Sequence, residues 1–318
     1  MNTDRRIITV GLTGAWDMHC AVDGIEWGDH TTVQSCIKIP AGKALNINKA
    51  LAYLREKSVF TGLWGQDDYE LLCDDLQLYN LIDNCVTPVP GATRTNITLE
   101  DTLNQRHLHL RFPDELCSAE NLSQVTEQLR QLLQSDDLCV FAGSMPSEDL
   151  LHPMVELMNL CTEKGAQIIL DSNGPGYARM IDECDITLIS PNVSELSELL
   201  GQTIDDEPPA ISKACGPLLE KVNIILVSRG KQGAMLITKE QSLTCTLASE
   251  PRPVVTEVGC GDHFLAGFLS VFSQDDQPLD KALAAGVQLA TFHAWGLTQT
   301  ESPDSIDENV SVEVKPVN

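Results

Sequence analysis

Strand-like apolar runs alternate with helical patterns along most of this chain, and that alternation restricts its possible folds more than any other feature. Ile7 to Leu12 is apolar apart from Thr9 and Gly11, as expected of a strand buried on both faces. Residues 44–54 carry helical spacing, and 58–63 are strand-like again. Strand-like runs follow at 138–142, 167–170, 186–189 and 224–228, with helical patterns at 148–164, 193–200 and 264–272. Strand then helix, repeated, predicts βαβ units and an α/β fold whose mostly parallel central sheet is covered by helices on both faces.

Two segments, 13–40 and 92–112, break the rhythm. Polar and apolar residues alternate there without an intervening helix, most clearly in Arg106-His107-Leu108-His109-Leu110-Arg111. A period of two predicts strands with one wet face, read here as a small antiparallel flap over one edge of the main sheet. From residue 301 the chain is acidic and poor in large apolar side chains, which predicts a loosely held tail at 301–318 after one domain over 1–300.

Composition narrows the partners. The net charge of −25, from 46 acidic and 21 basic residues, argues against nucleic acid and anionic membrane as ligands. No apolar run approaches the roughly 20 residues that span a bilayer. The polar start at Met1 to Arg6 leads directly into the first strand, so a cytoplasmic protein without a signal peptide is expected. The 11 cysteines form no CxxC pair and several lie in apolar runs, which reads as reduced, buried thiols.

The segment with most chemical content is Gly259-Cys260-Gly261-Asp262. Apolar residues at 264, 265, 268, 269 and 272 continue it at helical spacing, so the glycines open a helix. Unpaired N–H groups at a helix start hold anions, and a carboxylate beside a bound phosphoryl group can take a proton from an attacking hydroxyl. Asp is also a common helix cap and Gly-x-Gly a common turn, so this segment alone does not decide the matter.

Further segments, in chain order, make the sequence resemble the ribokinase-like PfkB carbohydrate kinases, within them the 1-phosphofructokinase and tagatose-6-phosphate kinase branch, over roughly residues 6–299. Gly259-Cys260-Gly261-Asp262 resembles the family's Gly-Ala-Gly-Asp signature. That likeness implies an anion hole at Gly259, Cys260 and Gly261, with Asp262 as catalytic base. Pro191-Asn192-Val193-Ser194-Glu195 resembles Asn-x-x-Glu, which implies that Asn192 and Glu195 organise Mg²⁺ and the phosphates. Ser228-Arg229-Gly230-Lys231-Gln232-Gly233-Ala234 resembles the turn along the nucleotide, implying ATP contacts at Ser228, Gly230 and Gly233. The stretch around Gly286 resembles the helix that walls the adenine pocket, and Gly143-Ser144-Met145-Pro146 and Asp171 match a turn and a strand end. On the sugar side, Asp17, the run Ala41-Gly42-Lys43-Ala44-Leu45-Asn46 and Thr93-Arg94-Thr95-Asn96 match substrate motifs. They imply that Asp17, Gly42 and Asn46 meet the sugar and that Lys43 and Arg94 meet its phosphate.

The resemblance thus implies ATP-dependent phosphoryl transfer to a sugar phosphate of the fructose 1-phosphate or tagatose 6-phosphate type, and a homodimer joined through the flap. Three positions depart from the pattern. Ala41 and Ala44 replace glycines, and Thr98 stands where the family carries Lys; Arg111 and His109 are candidate substitutes for that cation. These changes leave open a kinase of an unphosphorylated sugar or nucleoside, or a catalytically weak relative that binds a sugar phosphate or nucleotide.

Overall fold

A computed structural model describes residues 5–174, 176–274 and 277–317. Fourteen strands are present among them: β1 (Ile7–Gly11), β2 (Ala15–Val22), β3 (Val33–Ala41), β4 (Ser58–Gly65), β5 (Ile82–Val89), β6 (Thr95–Asp101), β7 (Arg106–Leu110), β8 (Leu138–Ala142), β9 (Gln167–Asp171), β10 (Ile186–Ile189), β11 (Val222–Ser228), β12 (Ala234–Ile237), β13 (Ser242–Leu247) and β14 (Val312–Pro316). The α-helices are α1 (Lys43–Tyr53), α2 (Tyr69–Leu76), α3 (Ala119–Leu132), α4 (Leu151–Glu163), α5 (Gly176–Glu183), α6 (Val193–Leu199), α7 (Pro208–Cys215), α8 (Cys260–Phe272), α9 (Leu279–Ala294) and α10 (Ile306–Asn309).

Ten strands form one sheet in the order β14-β13-β12-β11-β10-β9-β8-β1-β4-β5. Every pairing from β11 to β5 is parallel, and β11 to β14 pair antiparallel. Alternate side chains enter separate cores. Ile8 and Val10 join α3, α4, α5 and α7 on one face, while Ile7 joins α1, α8 and α9 on the other. Covering both faces explains why β1, β4 and β8 are buried at every position rather than alternating. No helix among the described residues is long and apolar enough to cross a membrane.

The second sheet has the order β3-β2-β6-β7. Its expected antiparallel pairing needs correction, because β2 and β6 run parallel. The cause is topological. The chain enters the flap from β1 and again from β5, two strands that point the same way in the main sheet, so the strands continuing from them also point the same way. Trp16 of the flap meets Trp64 of β4 edge-on at 5.5 Å between ring centroids, which seats the flap on the sheet.

The expected loose tail also needs correction. After α10, β14 pairs antiparallel with β13 and extends the main sheet, and Ile306 and Val310 are buried against α9. The acidic residues between them face solvent, so the segment's low apolar content concealed two anchoring side chains.

Candidate active site

Helix α8 begins earlier than its apolar spacing suggested. Gly259 is its N-cap, with φ 80° and ψ −1°, so Cys260, Gly261 and Asp262 form the first turn. Asp262 is therefore not the cap, and the capping explanation of its presence falls away. A left-handed residue followed by a helical one aims successive N–H groups into a shared concavity suited to an anion. Added atoms at Gly261 would meet nothing within 4 Å, so that side of the turn is open.

Asp262 is 5% exposed. Its Oδ2 accepts from Asn46 Nδ2 at 2.7 Å, joining the first turns of α8 and α1. Burial, followed by repulsion from Asp171, pushes its carboxyl up to about 7 against the opposing pull of Asn46 and Lys43. That places it near the range in which a general base works at neutral pH.

Lys43 opens α1 and donates to Asp171 Oδ1 at 3.1 Å. Burial lowers its pKa, but attraction to Asp171, Asp262 and Glu195 outweighs this and raises it to about 12. One ammonium thus lies in the field of three carboxylates from three separate motifs. Burial pushes the Asp171 carboxyl upward against Lys43. The Lys43 charge therefore balances buried carboxylates as well as lying at the start of α1.

Asn192 caps α6 by accepting from Glu195 N at 2.9 Å, and Glu195 Oε2 accepts from Asn192 N at 2.9 Å. This reciprocal pair accounts for the motif structurally and fixes the Glu195 carboxylate, whose Oε1 also receives a 3.4 Å contact from Asn173 Nδ2. Asn192 bridges to Ser228, so the two motifs meet at the carboxyl ends of β10 and β11. Gly230 has φ 54° and open space beyond it. By contrast, a Cβ on Gly233 would lie 1.9 Å from Cys245 O, and one on Gly286 would lie 2.8 Å from Phe264 O. Both glycines are thus also required by packing, Gly233 by a close strand approach and Gly286 by the α8–α9 contact.

On the flap, Asp17 accepts from Asn96 Nδ2 at 3.0 Å. Arg94 donates to the carbonyls of Phe112 and Thr13, both at 3.0 Å, and its buried Nε has no acceptor among the described residues. Gly42 takes φ 123°, turning β3 into α1. Ala41 and Ala44 are buried, and the Ala44 methyl faces Gly11, into the core. Thr98 Oγ1 meets His109 Nδ1 at 2.9 Å. Asp101, outside these motifs, accepts from Asn104 Nδ2 at 2.9 Å, from Arg106 and from the backbone N–H of Asn104, Ile25 and Gly24, which together hold its carboxyl well below the usual range. Asn104 three residues on was the available signal, since Asp commonly bonds the chain just beyond it in turns.

The open turn at Gly259–Asp262 and the permissive Gly230 suit the phosphates of ATP. No cluster of three or more His, Cys, Asp or Glu among the described residues could cage a metal. A single fixed carboxylate at Glu195 suits Mg²⁺, which keeps several waters and relies on phosphate oxygens for the rest of its shell.

A family model described as pfkB family carbohydrate kinase matches residues 4–294. The chain is 30% identical over 294 residues to 1-phosphofructokinase from Rhodobacter capsulatus, covering 92% of this chain and 90% of that protein. Its fold matches Escherichia coli phosphofructokinase-2 in complex with fructose-6-phosphate, with a TM-score of 0.85 at 22% identity over 96% and 97% of the two chains. The tetrameric inhibited form of that protein matches with a TM-score of 0.86 at 21% identity over the same shares. The class is thus that of the ribokinase-like carbohydrate kinases, a three-layer α/β/α fold with a small β flap. Within it, the chain belongs to the PfkB family of carbohydrate kinases and is an ATP-dependent carbohydrate kinase.

Proposed function

We propose that this kinase moves the γ-phosphoryl group of ATP onto a hydroxyl of a sugar phosphate, of the fructose 1-phosphate or tagatose 6-phosphate type, with Asp262 as base. The observation that carries the reading is the buried Asp262 carboxylate, raised to about 7 and placed in the first turn of a helix whose cap is a left-handed glycine.

In the transfer, the acceptor oxygen forms a bond to γ-phosphorus as the bond from that phosphorus to the β-bridging oxygen breaks, releasing ADP. Asp262 takes the hydroxyl proton, and Asn46 holds the carboxylate in place through its 2.7 Å bond. The amides of residues 259–262 face the charge on the transferring group. Mg²⁺, when bound, neutralises phosphate charge, with Asn192 and Glu195 as the residues that would arrange its shell. Asp17 orients the sugar. Arg94 meets the sugar's phosphate through its guanidinium. Lys43 partly offsets the repulsion between Asp171 and Asp262 and adds positive charge for the same phosphate. Flap closure excludes water as a competing acceptor.

A second reading, a kinase of an unphosphorylated sugar on the same fold, is favoured by Thr98, whose hydroxyl is engaged by His109 where the family carries a cation. A catalytically weak binder has less support, since the Ala44 methyl points into the core rather than toward a ligand. Self-association through the flap draws on its exposed Ile37, Leu108, Leu110 and Phe112. A coupled ADP-release assay with fructose 1-phosphate, tagatose 6-phosphate and fructose 6-phosphate beside free sugars tests the assignment. Preference for a free sugar selects the second reading, and nucleotide binding without turnover on any acceptor selects the weak binder.

A further inference from the structure

We propose that His263 and His293 form a stacked brace that positions the anion-holding amides of Gly259 and Cys260, an idea that rests on the phosphoryl-binding role given to residues 259–262. The two imidazoles come from α8 and α9 and stack with centroids 3.6 Å apart and planes 11° from parallel. His263 Nδ1 lies 2.9 Å from Gly259 O, and His293 Nε2 lies 3.0 Å from Val258 O. Carbonyl oxygens only accept, so these two ring nitrogens carry the protons. His293 Nδ1 then accepts from Thr298 Oγ1 at 3.0 Å, so both nitrogens of a neutral ring are used. Burial, and then the neighbouring His293, hold His263 down to about 4, and burial lowers His293, so neither ring carries charge at neutral pH.

The brace acts through planar peptides. Each peptide unit is flat and trans, so fixing a carbonyl fixes the N–H of the next residue. His293 on Val258 O sets the Gly259 N–H, and His263 Nδ1 adds a second restraint to Gly259 O, which the helical His263 N–H already meets at 2.9 Å, and so to the Cys260 N–H. Gly259 needs such restraint because glycine leaves its own backbone freest. A Cβ at Gly259 would lie 3.5 Å from His293 Nε2 and 3.7 Å from His263 Nδ1, so the rings occupy the side a side chain would have taken. The preceding segment hangs from the same end of α9, where Val255 N and Thr256 N both bond Ala294 O. Donors fixed in advance need no reorganisation as charge develops on the phosphoryl group. Neither histidine is placed to touch substrate, so both are positioning residues.

The test replaces the donor while keeping the ring. His263→Phe and His293→Phe retain a flat face for stacking and lose the N–H. His263→Asn and His293→Gln restore a donor near Nδ1 and Nε2 respectively. The Phe variants should lose about 10- to 100-fold in kcat with KM for ATP and acceptor within about twofold, and the amide variants should recover most of the loss. Inhibition by ADP with aluminium fluoride, a mimic of the transferring group, should weaken by the same factor as kcat while inhibition by ADP alone stays unchanged. Wild-type kcat in the Phe variants, or no recovery in the amide variants, overturns the brace. Should the Phe variants not fold, Thr298→Val carries the test: it unpins the His293 ring, and an unchanged kcat in it also overturns the brace. The unaltered protein separates this idea from its premise, because absence of transfer from it to every acceptor defeats the kinase assignment instead.

Discussion

Asp262→Asn should stabilise the protein while removing most of its turnover. The wild-type carboxyl, which ordinarily titrates at 3.8, is pushed up to about 7 by burial and by Asp171. At about 1.4 kcal/mol per tenfold change in proton affinity, that displacement is worth about 4 kcal/mol. The sign follows from which state holds the proton. Below about pH 4 the group is protonated in both folded and unfolded chains and costs nothing. Between about 4 and 7 the unfolded chain ionises while the folded one does not, so stability falls as pH rises. Above about 7 the full penalty is present. Asparagine does not titrate, and its carbonyl still accepts from Asn46 Nδ2, so the 2.7 Å contact survives. Thermal unfolding of both proteins from pH 4 to pH 8 should therefore give a gap that opens with pH and favours the variant by up to about 4 kcal/mol at pH 8. Turnover should fall by about 10²- to 10⁴-fold. A variant less stable than wild type at pH 8, a gap that does not change with pH, or near-normal kcat would refute the reasoning.

The same carboxylate predicts that kcat/KM rises about tenfold per pH unit below about pH 7 and levels off above it; a flat profile from pH 5 to 8 would exclude Asp262 as the base. Arg94→Ala should raise KM for a phosphorylated sugar by about tenfold or more and that for the free sugar much less, read in the same ADP-release assay, with equal effects denying Arg94 the phosphate. Removal of residues 301–318 should cost about 3–6 kcal/mol through loss of buried Ile306 and Val310 alone, seen as a lower unfolding temperature, and an unchanged temperature would contradict the anchoring of this segment.

Much of the main sheet could be read from the chain because burial on both faces leaves a local signature. A strand such as Ile7–Gly11 must be apolar at nearly every position, and its neighbours in sequence must carry helical spacing. The turn at Gly259–Asp262 and the Asn192–Glu195 pair were legible for a related reason: each is a local backbone device whose residues lie within four positions of one another. Gly233 and Gly286 stood out as glycines, but what they approach, Cys245 and Phe264, lies elsewhere in the chain, so these close contacts were not legible.

What the amino-acid order determined by itself was the α/β class, the flap segments and the glycine turn at 259–262 proposed to hold the phosphoryl group, all set by periodicity or by contacts a few residues apart. Tertiary structure alone decided the parallel pairing of β2 with β6, the docking of residues 312–316 on β13, the 128-residue span of the Lys43–Asp171 ion pair and the stacking of His263 on His293. It also decided the chemistry of Asp262, because a carboxylate's proton affinity depends on the water and charge removed from around it. Asn46, Lys43 and Asp171 reach that carboxyl only once the chain has folded.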